Sequence, residues 1–173
     1  MRCDTFDDGE SLKVGSGVMV SEWQVLTAMH VVDCQAAIAR IHVITPSGKR
    51  YRFSPEKEWK EYDISRIQMA SADSFRLGVS PPTLRLTSVA KHEPVYIQAA
   101  WPKRVEVMGE ATGREYYGGQ TYGGYITYAA GTQSGNSGSG VYDIDGNLIG
   151  IHVGETAIGT KKGSRVTSDM IPH

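Results

Sequence analysis

The sequence predicts an all-β fold built as two barrels. Short runs rich in β-branched and aromatic residues recur along the whole chain, turn residues punctuate them, and no long segment repeats its apolar residues at helical spacing. Chains patterned in this way close into barrels or stack as sandwiches. At 173 residues there is enough chain for two small halves that share a core.

Taken in order, "WQVLT" (23–27) reads as the first clear strand, and "TAMHVVD" (27–33) as a short helical segment at its end. "RIHVIT" (40–45) and "KRYRF" (49–53) flank Pro46-Ser47-Gly48 and read as a hairpin, followed by "DISRIQM" (63–69). Ser80-Pro81-Pro82 is the expected seam, because proline ends strand pairing; it divides an N-terminal half (1–80) from a C-terminal half (81–173). Beyond it, "PVYIQAA" (94–100) and "KRVEVMG" (103–109) read as strands, the second alternating charge with valine. "REYYGGQTYGGYITY" (114–128) reads as a glycine-turned hairpin with tyrosines packed across strands, or as an edge strand to which an extended peptide pairs. "GVYDI" and "NLIGIHV" flank Asp145-Gly146, a pair suited to a two-residue turn, and "SDMIPH" ends the chain as a short helical fragment.

Composition excludes several functions. A net charge of −1 and a pI near 6.5 give no general attraction to nucleic acid or anionic membrane. The Lys161-Lys162-x-x-Arg165 cluster is short enough to read as a solvated loop. No apolar run approaches the ~20 residues of a membrane-spanning helix. Cys3 and Cys34 form no CxxC pair and no HxxxH string occurs, so neither a metal nor another cofactor is expected, and a reducing compartment suits the cysteine usage.

Chemistry concentrates at three places. Ser137 lies in "SGNSGSG", between glycines that let a carbonyl substrate approach the backbone, so the amides of Gly135 and Ser137 could hold one oxyanion. A serine hydroxyl needs a base, and His30 in "TAMHVVD" is the candidate. Asp63 in "EYDISRIQM" enters an apolar strand, where a carboxylate is costly unless a partner such as a histidine ring accepts it. Asp33, Glu61 and Asp73 are its competitors.

The order His30, Asp63, Ser137, with the strings "TAMHVV", Asp63-Ile64 and "GNSGSG", resembles the chymotrypsin-like serine proteases over roughly residues 14–155. The resemblance implies two six-stranded antiparallel barrels with the active site in the cleft between them. His30 is then the general base, Asp63 its orienter and Ser137 the nucleophile, with Gly135 and Ser137 forming the oxyanion hole. It also implies a pocket for the side chain preceding the scissile bond, lined by Gly131, Thr132, Gly150 and His152. Gly131 stands where a trypsin-type pocket carries aspartate, so lysine and arginine are not expected there. A hydroxyl and an imidazole suit a carboxylate or carboxamide instead.

Two branches share this pairing. One is the polyprotein-processing serine proteases of positive-strand RNA viruses, of sobemovirus and arterivirus type. The other is the secreted glutamyl endopeptidases, whose strings also read Gly-Asn-Ser-Gly-Ser and Gly-Ile-His. Both imply cleavage after glutamate, with glutamine second. The acidic, polar start "MRCDTFDDGE" does not read as a secretion leader, so the expectation is a monomeric protease that processes a viral polyprotein in the host-cell cytoplasm. The alternatives are a secreted glutamyl endopeptidase and a protease-like module that binds peptide or RNA without cutting. Gly140 departs from the proline or alanine of many relatives. If His152 must be protonated to hold glutamate, that preference should weaken above pH ~6.5.

Overall fold

A computed structural model of the chain describes residues 2–5, 11–33, 39–45, 48–69, 82–100, 103–116, 124–156 and 158–172. The expected seam at Ser80-Pro81, most of the Tyr/Gly stretch between the two strands it joins, Cys34 and Asp73 lie outside the described residues.

Seven strands form the first sheet: β1 (Arg2–Thr5), β2 (Ser11–Val14), β3 (Val18–Met19), β4 (Gln24–Ala28), β5 (Ala39–Ile44), β6 (Arg50–Trp59) and β7 (Ile64–Met69). They pair antiparallel in the order β2-β1-β5-β6-β7-β4-β3, a curled half-barrel, and one helical turn, α1 (Met29–Val32), follows β4. Six more strands close on themselves in the order β10-β13-β12-β11-β8-β9. These are β8 (Pro94–Ala99), β9 (Val105–Tyr116), β10 (Tyr125–Ala130), β11 (Gly140–Tyr142), β12 (Leu148–Glu155) and β13 (Lys161–Arg165). The architecture is all-β and chymotrypsin-like.

Two apolar clusters hold the molecule. Val95, Ile97, Ile126, Tyr128, Val141 and Ile149 fill the closed barrel. The larger cluster joins Val25, Leu26, Ile64 and Ile67 of the first sheet to Leu148, Ile151, Val153, Val166, Met170 and Ile171 of the second half. β12 is therefore buried on both faces, which explains why "LIGIHV" shows no period-2 alternation. The chain end returns to the first sheet, where Arg66 Nη1 donates to the Met170 carbonyl at 3.0 Å and Trp59 Nε1 to Asp169 Oδ2 at 3.3 Å.

Several elements differ from the sequence expectation for local reasons. β6 runs on to Trp59 through Pro55, because a register shift between Pro55 and Lys57 absorbs the missing amide. The hairpin after β11 has three loop residues, Ile144 to Gly146, closed by the Asp143 amide on the Asn147 carbonyl at 3.0 Å. Asp143 Oδ1 accepts the amides of Asp145 and Asn147, and Gly146 takes the left-handed position at φ 81°, so the chain turns one residue earlier than Asp-Gly alone suggests. The Lys161 cluster is strand β13, not a solvated loop. β10 pairs with β9 on one side and β13 on the other, leaving no free edge for a peptide there.

Candidate active site

His30 and Asp63 meet through a backbone device. The 3₁₀ turn Lys60–Tyr62 ends at Asp63, whose φ of 54° is left-handed, a conformation that aspartate tolerates better than most side chains. That kink aims the residue at α1. The Asp63 carbonyl accepts the Met29 amide at 2.8 Å, and Oδ1 accepts the His30 amide at 3.0 Å. Oδ2 then lies 2.5 Å from His30 Nδ1. One residue thus holds both the backbone and the ring of the histidine, fixing the Nδ1–H tautomer and leaving Nε2 as the proton acceptor. Tyr125 of β10 steadies the same turn from the other barrel, its hydroxyl donating to the Glu61 carbonyl at 2.7 Å. Burial, with the Asp63 charge second, raises the Tyr125 pKa and keeps that phenol a donor.

Ser137 sits at the corner of two consecutive turns. The Asn136 amide closes the first on the Gln133 carbonyl at 3.0 Å, and the Ser139 amide closes the second on the Asn136 carbonyl at 3.1 Å. Each turn has a glycine with positive φ at its third position, Gly135 at 92° and Gly138 at 91°. Ser137 Oγ and the amides of Gly135 and Ser137 make no hydrogen bond with another described residue, so they are free for substrate. The nucleophile–base contact commonly tightens only when substrate binds.

Ser16 bolts this loop to the first sheet. Its amide donates to the Ser137 carbonyl at 2.8 Å, its Oγ to the Gly135 carbonyl at 3.2 Å, and its carbonyl accepts Thr27 Oγ1 at 2.8 Å. On the other side β12 grips the loop, with the Gly138 amide on the His152 carbonyl and the His152 amide on the Ser139 carbonyl, both at 2.8 Å. A Cβ at Gly138 would lie 1.9 Å from the Ser16 carbonyl oxygen and 2.4 Å from Thr27 Oγ1. Gly138→Ala is therefore expected to cost about 3 kcal/mol or more, from the positive φ and the backbone clash together. A denaturant melt reads it, and a midpoint equal to wild type would contradict this account of the loop.

The residues expected to line the pocket separate into two groups. His152 is only 4% exposed, and its Nδ1 lies 2.6 Å from the Tyr128 hydroxyl. Burial drives the Tyr128 pKa well up, so the phenol donates, Nδ1 accepts and the imidazole hydrogen sits on Nε2. Burial also pulls His152 down to about 4, with the Lys161 and His30 charges acting in the same direction. The expected titration of His152 near pH 6.5 is thereby displaced. Thr132 is half-buried, and Gly131 is exposed with open space where a side chain would stand. Gly150 is placed differently: it is buried, and a Cβ there would meet the Ser164 carbonyl at 2.5 Å, so its bare Cα serves the close approach of β13. Gly140 likewise makes room, for Val18 and Tyr142.

Neither Ser16 nor Tyr128 stands out in the sequence. "GSGV" (15–18) ahead of a strand is the one signal for the first, and Tyr128 reads as one of several packed tyrosines.

The chain matches the family described as trypsin-like peptidase domain over residues 15–151. It is 30% identical over 151 residues to a probable periplasmic serine protease do/HhoA-like of Haemophilus influenzae, covering 80% of this chain and 30% of that protein. To the glutamyl endopeptidase of Staphylococcus epidermidis it is 28% identical over 155 residues, covering 81% of this chain and 54% of that one. The chain thus spans about half or less of the length of these curated relatives. Among solved structures, the active form of the Rv3671c protease of M. tuberculosis superposes with a TM-score of 0.71 at 14% identity, covering 98% of this chain and 75% of that one. The HtrA-type protease AlgW with decapeptide gives 0.69 at 23% identity, covering 94% and 50%. At these identities the structural likeness speaks for the fold.

Proposed function

We propose a mechanism and a specificity for this chain, which belongs to the trypsin-like peptidase domain family and is a serine endopeptidase. Ser137 Oγ attacks the substrate carbonyl while His30 Nε2 takes its proton and later passes it to the leaving amine. Asp63 holds the far side of the ring, the amides of Gly135 and Ser137 stabilise the oxyanion, and water hydrolyses the acyl-enzyme. The observation that carries this reading is the triple contact of Asp63 with Met29 and His30.

The side chain preceding the scissile bond is glutamate, with glutamine second. Support comes from the His152 Nε2–H left available by Tyr128, from the half-buried Thr132 hydroxyl, and from similarity to a glutamyl endopeptidase. The setting is a further part of the proposal. Processing of a viral polyprotein in a host cytoplasm rests on the resemblance of the loop strings. The secreted alternative has the Staphylococcus protein on its side.

Three matched fluorogenic peptides, with Glu, Gln or Lys before the scissile bond, test the specificity. Glu turnover is expected to lead, Gln to follow and Lys to be negligible. Because His152 is already neutral above about pH 4, the Glu-to-Gln ratio in kcat/KM should stay flat from pH ~6 to ~8. A ratio that falls steadily above pH ~6.5 would mean the carboxylate is held by a protonated His152. Leading turnover of the Lys peptide would remove the pocket assignment.

A further inference from the structure

A neutral imidazole and a hydroxyl can donate hydrogen bonds to a glutamate carboxylate, but they do not neutralise it. A carboxylate taken from water into a pocket without a counter-charge is costly, so a site selective for it needs a cation close by. β13, which pairs with the strand that carries His152, bears three cations. Arg165 is committed to Glu115 Oε1 at 3.1 Å and to the carbonyls of Arg85 and Thr87 at 2.9 Å. Lys162 lies over the Tyr125 ring, 4.7 Å from its centroid.

Lys161 differs from both. In the antiparallel ladders it stands opposite Tyr128 of β10 and opposite Glu155 of β12, and residues directly opposite share a face of the sheet. Tyr128 is the residue whose hydroxyl reaches His152, so Lys161 shares the face of the Tyr128–His152 pair. Its ammonium is ion-paired with Glu155, and the pair is lopsided: the lysine side chain is 17% exposed and the glutamate 57%. The lysine stem is therefore covered along the sheet, while its ammonium meets the carboxylate where the contact is open to solvent. The charge is also felt at His152, which it helps to hold neutral.

We propose that Lys161 supplies the fixed positive charge that selects glutamate before the scissile bond, and that Glu155 holds this ammonium in the empty enzyme as a stand-in for the substrate carboxylate. The inference rests on the glutamate reading above and goes beyond it by naming the charge. When substrate binds, Glu155 shares the ammonium or swings into solvent, which its exposure permits.

The test compares kcat/KM for the matched Glu and Gln peptides in wild type, Lys161→Gln and Glu155→Gln. Lys161→Gln is expected to lower Glu turnover by about tenfold or more while Gln turnover stays within about threefold, which also shows that the variant is folded. Glu155→Gln is expected to raise Glu turnover about threefold with little effect on Gln. A Glu-to-Gln ratio unchanged by Lys161→Gln overturns the proposal. A wild type that prefers Lys, or shows no Glu preference, instead overturns the glutamate reading beneath it. Should wild type cleave neither peptide, calorimetric binding of both to Ser137→Ala, with and without Lys161→Gln, reads the same charge. Equal loss or no loss for the two peptides there counts against it.

Discussion

Ser137→Ala is expected to lower kcat on the Glu peptide by about 10⁶-fold while leaving the thermal midpoint within a few degrees of wild type. The first half of that expectation follows from the proposed mechanism: in it the hydroxyl is the atom that forms the acyl-enzyme, and an imidazole without it can assist only attack by water. The second follows from the loop. What holds Ser137 in place is its carbonyl on the Ser16 amide, together with the two glycine turns, and none of these uses the side chain. A residual catalysis well above the solvent rate is still expected, because the oxyanion amides and the pocket survive the change. Activity within about tenfold of wild type would show that another residue is the nucleophile.

The second large effect is at the base. Asp63→Asn should reduce kcat by about 10⁴-fold, or about 5.5 kcal/mol in the barrier, with KM much less affected. Asparagine accepts the left-handed backbone at this position, and its carbonyl oxygen can still receive the His30 amide. The substitution therefore isolates the ring contact. Its amide nitrogen facing His30 Nδ1 would favour the wrong tautomer, with the hydrogen on Nε2, where it cannot take a proton from serine. Asp63→Ala removes the backbone grip as well and should also lower the melting temperature. Comparing the two separates orientation of the ring from support of α1. An asparagine variant with near-normal kcat would assign the orienting role elsewhere, and Glu61, whose carbonyl is engaged by Tyr125, would be examined next.

Much of this site was legible in the chain because its chemistry is local. A serine between glycines needs only its nearest neighbours to form its turns, and "QSGNSGSG" (133–140) contains all of them. The strands with clear alternation, β8 above all, were legible for the same reason: each residue's facing depends on its own position in the pleat. What escaped was non-local. Asp63 reads as the first residue of a strand, yet its left-handed φ precedes the strand and is set by contact with α1, more than thirty residues upstream. The cations of β13 look like a solvated cluster because nothing within the string reveals that Glu155, Glu115 and Tyr125 contact them. Ser16 carries only a weak local signal. A serine in a Gly-Ser-Gly string has many uses, and only tertiary structure supplies the partners it bridges, Gly135, Ser137 and Thr27 among them.

That bolt has a consequence for the life of the enzyme before it is finished. The groups it joins are 119 residues apart, so the nucleophile loop is held from both sides only after distant parts of the chain have met. A half-folded chain would carry the same serine on a loop with its Ser16 support missing and its amides unaligned. Competence to cut thus requires the two distant regions to be assembled. The wiring that shapes the loop also makes its geometry conditional on folding.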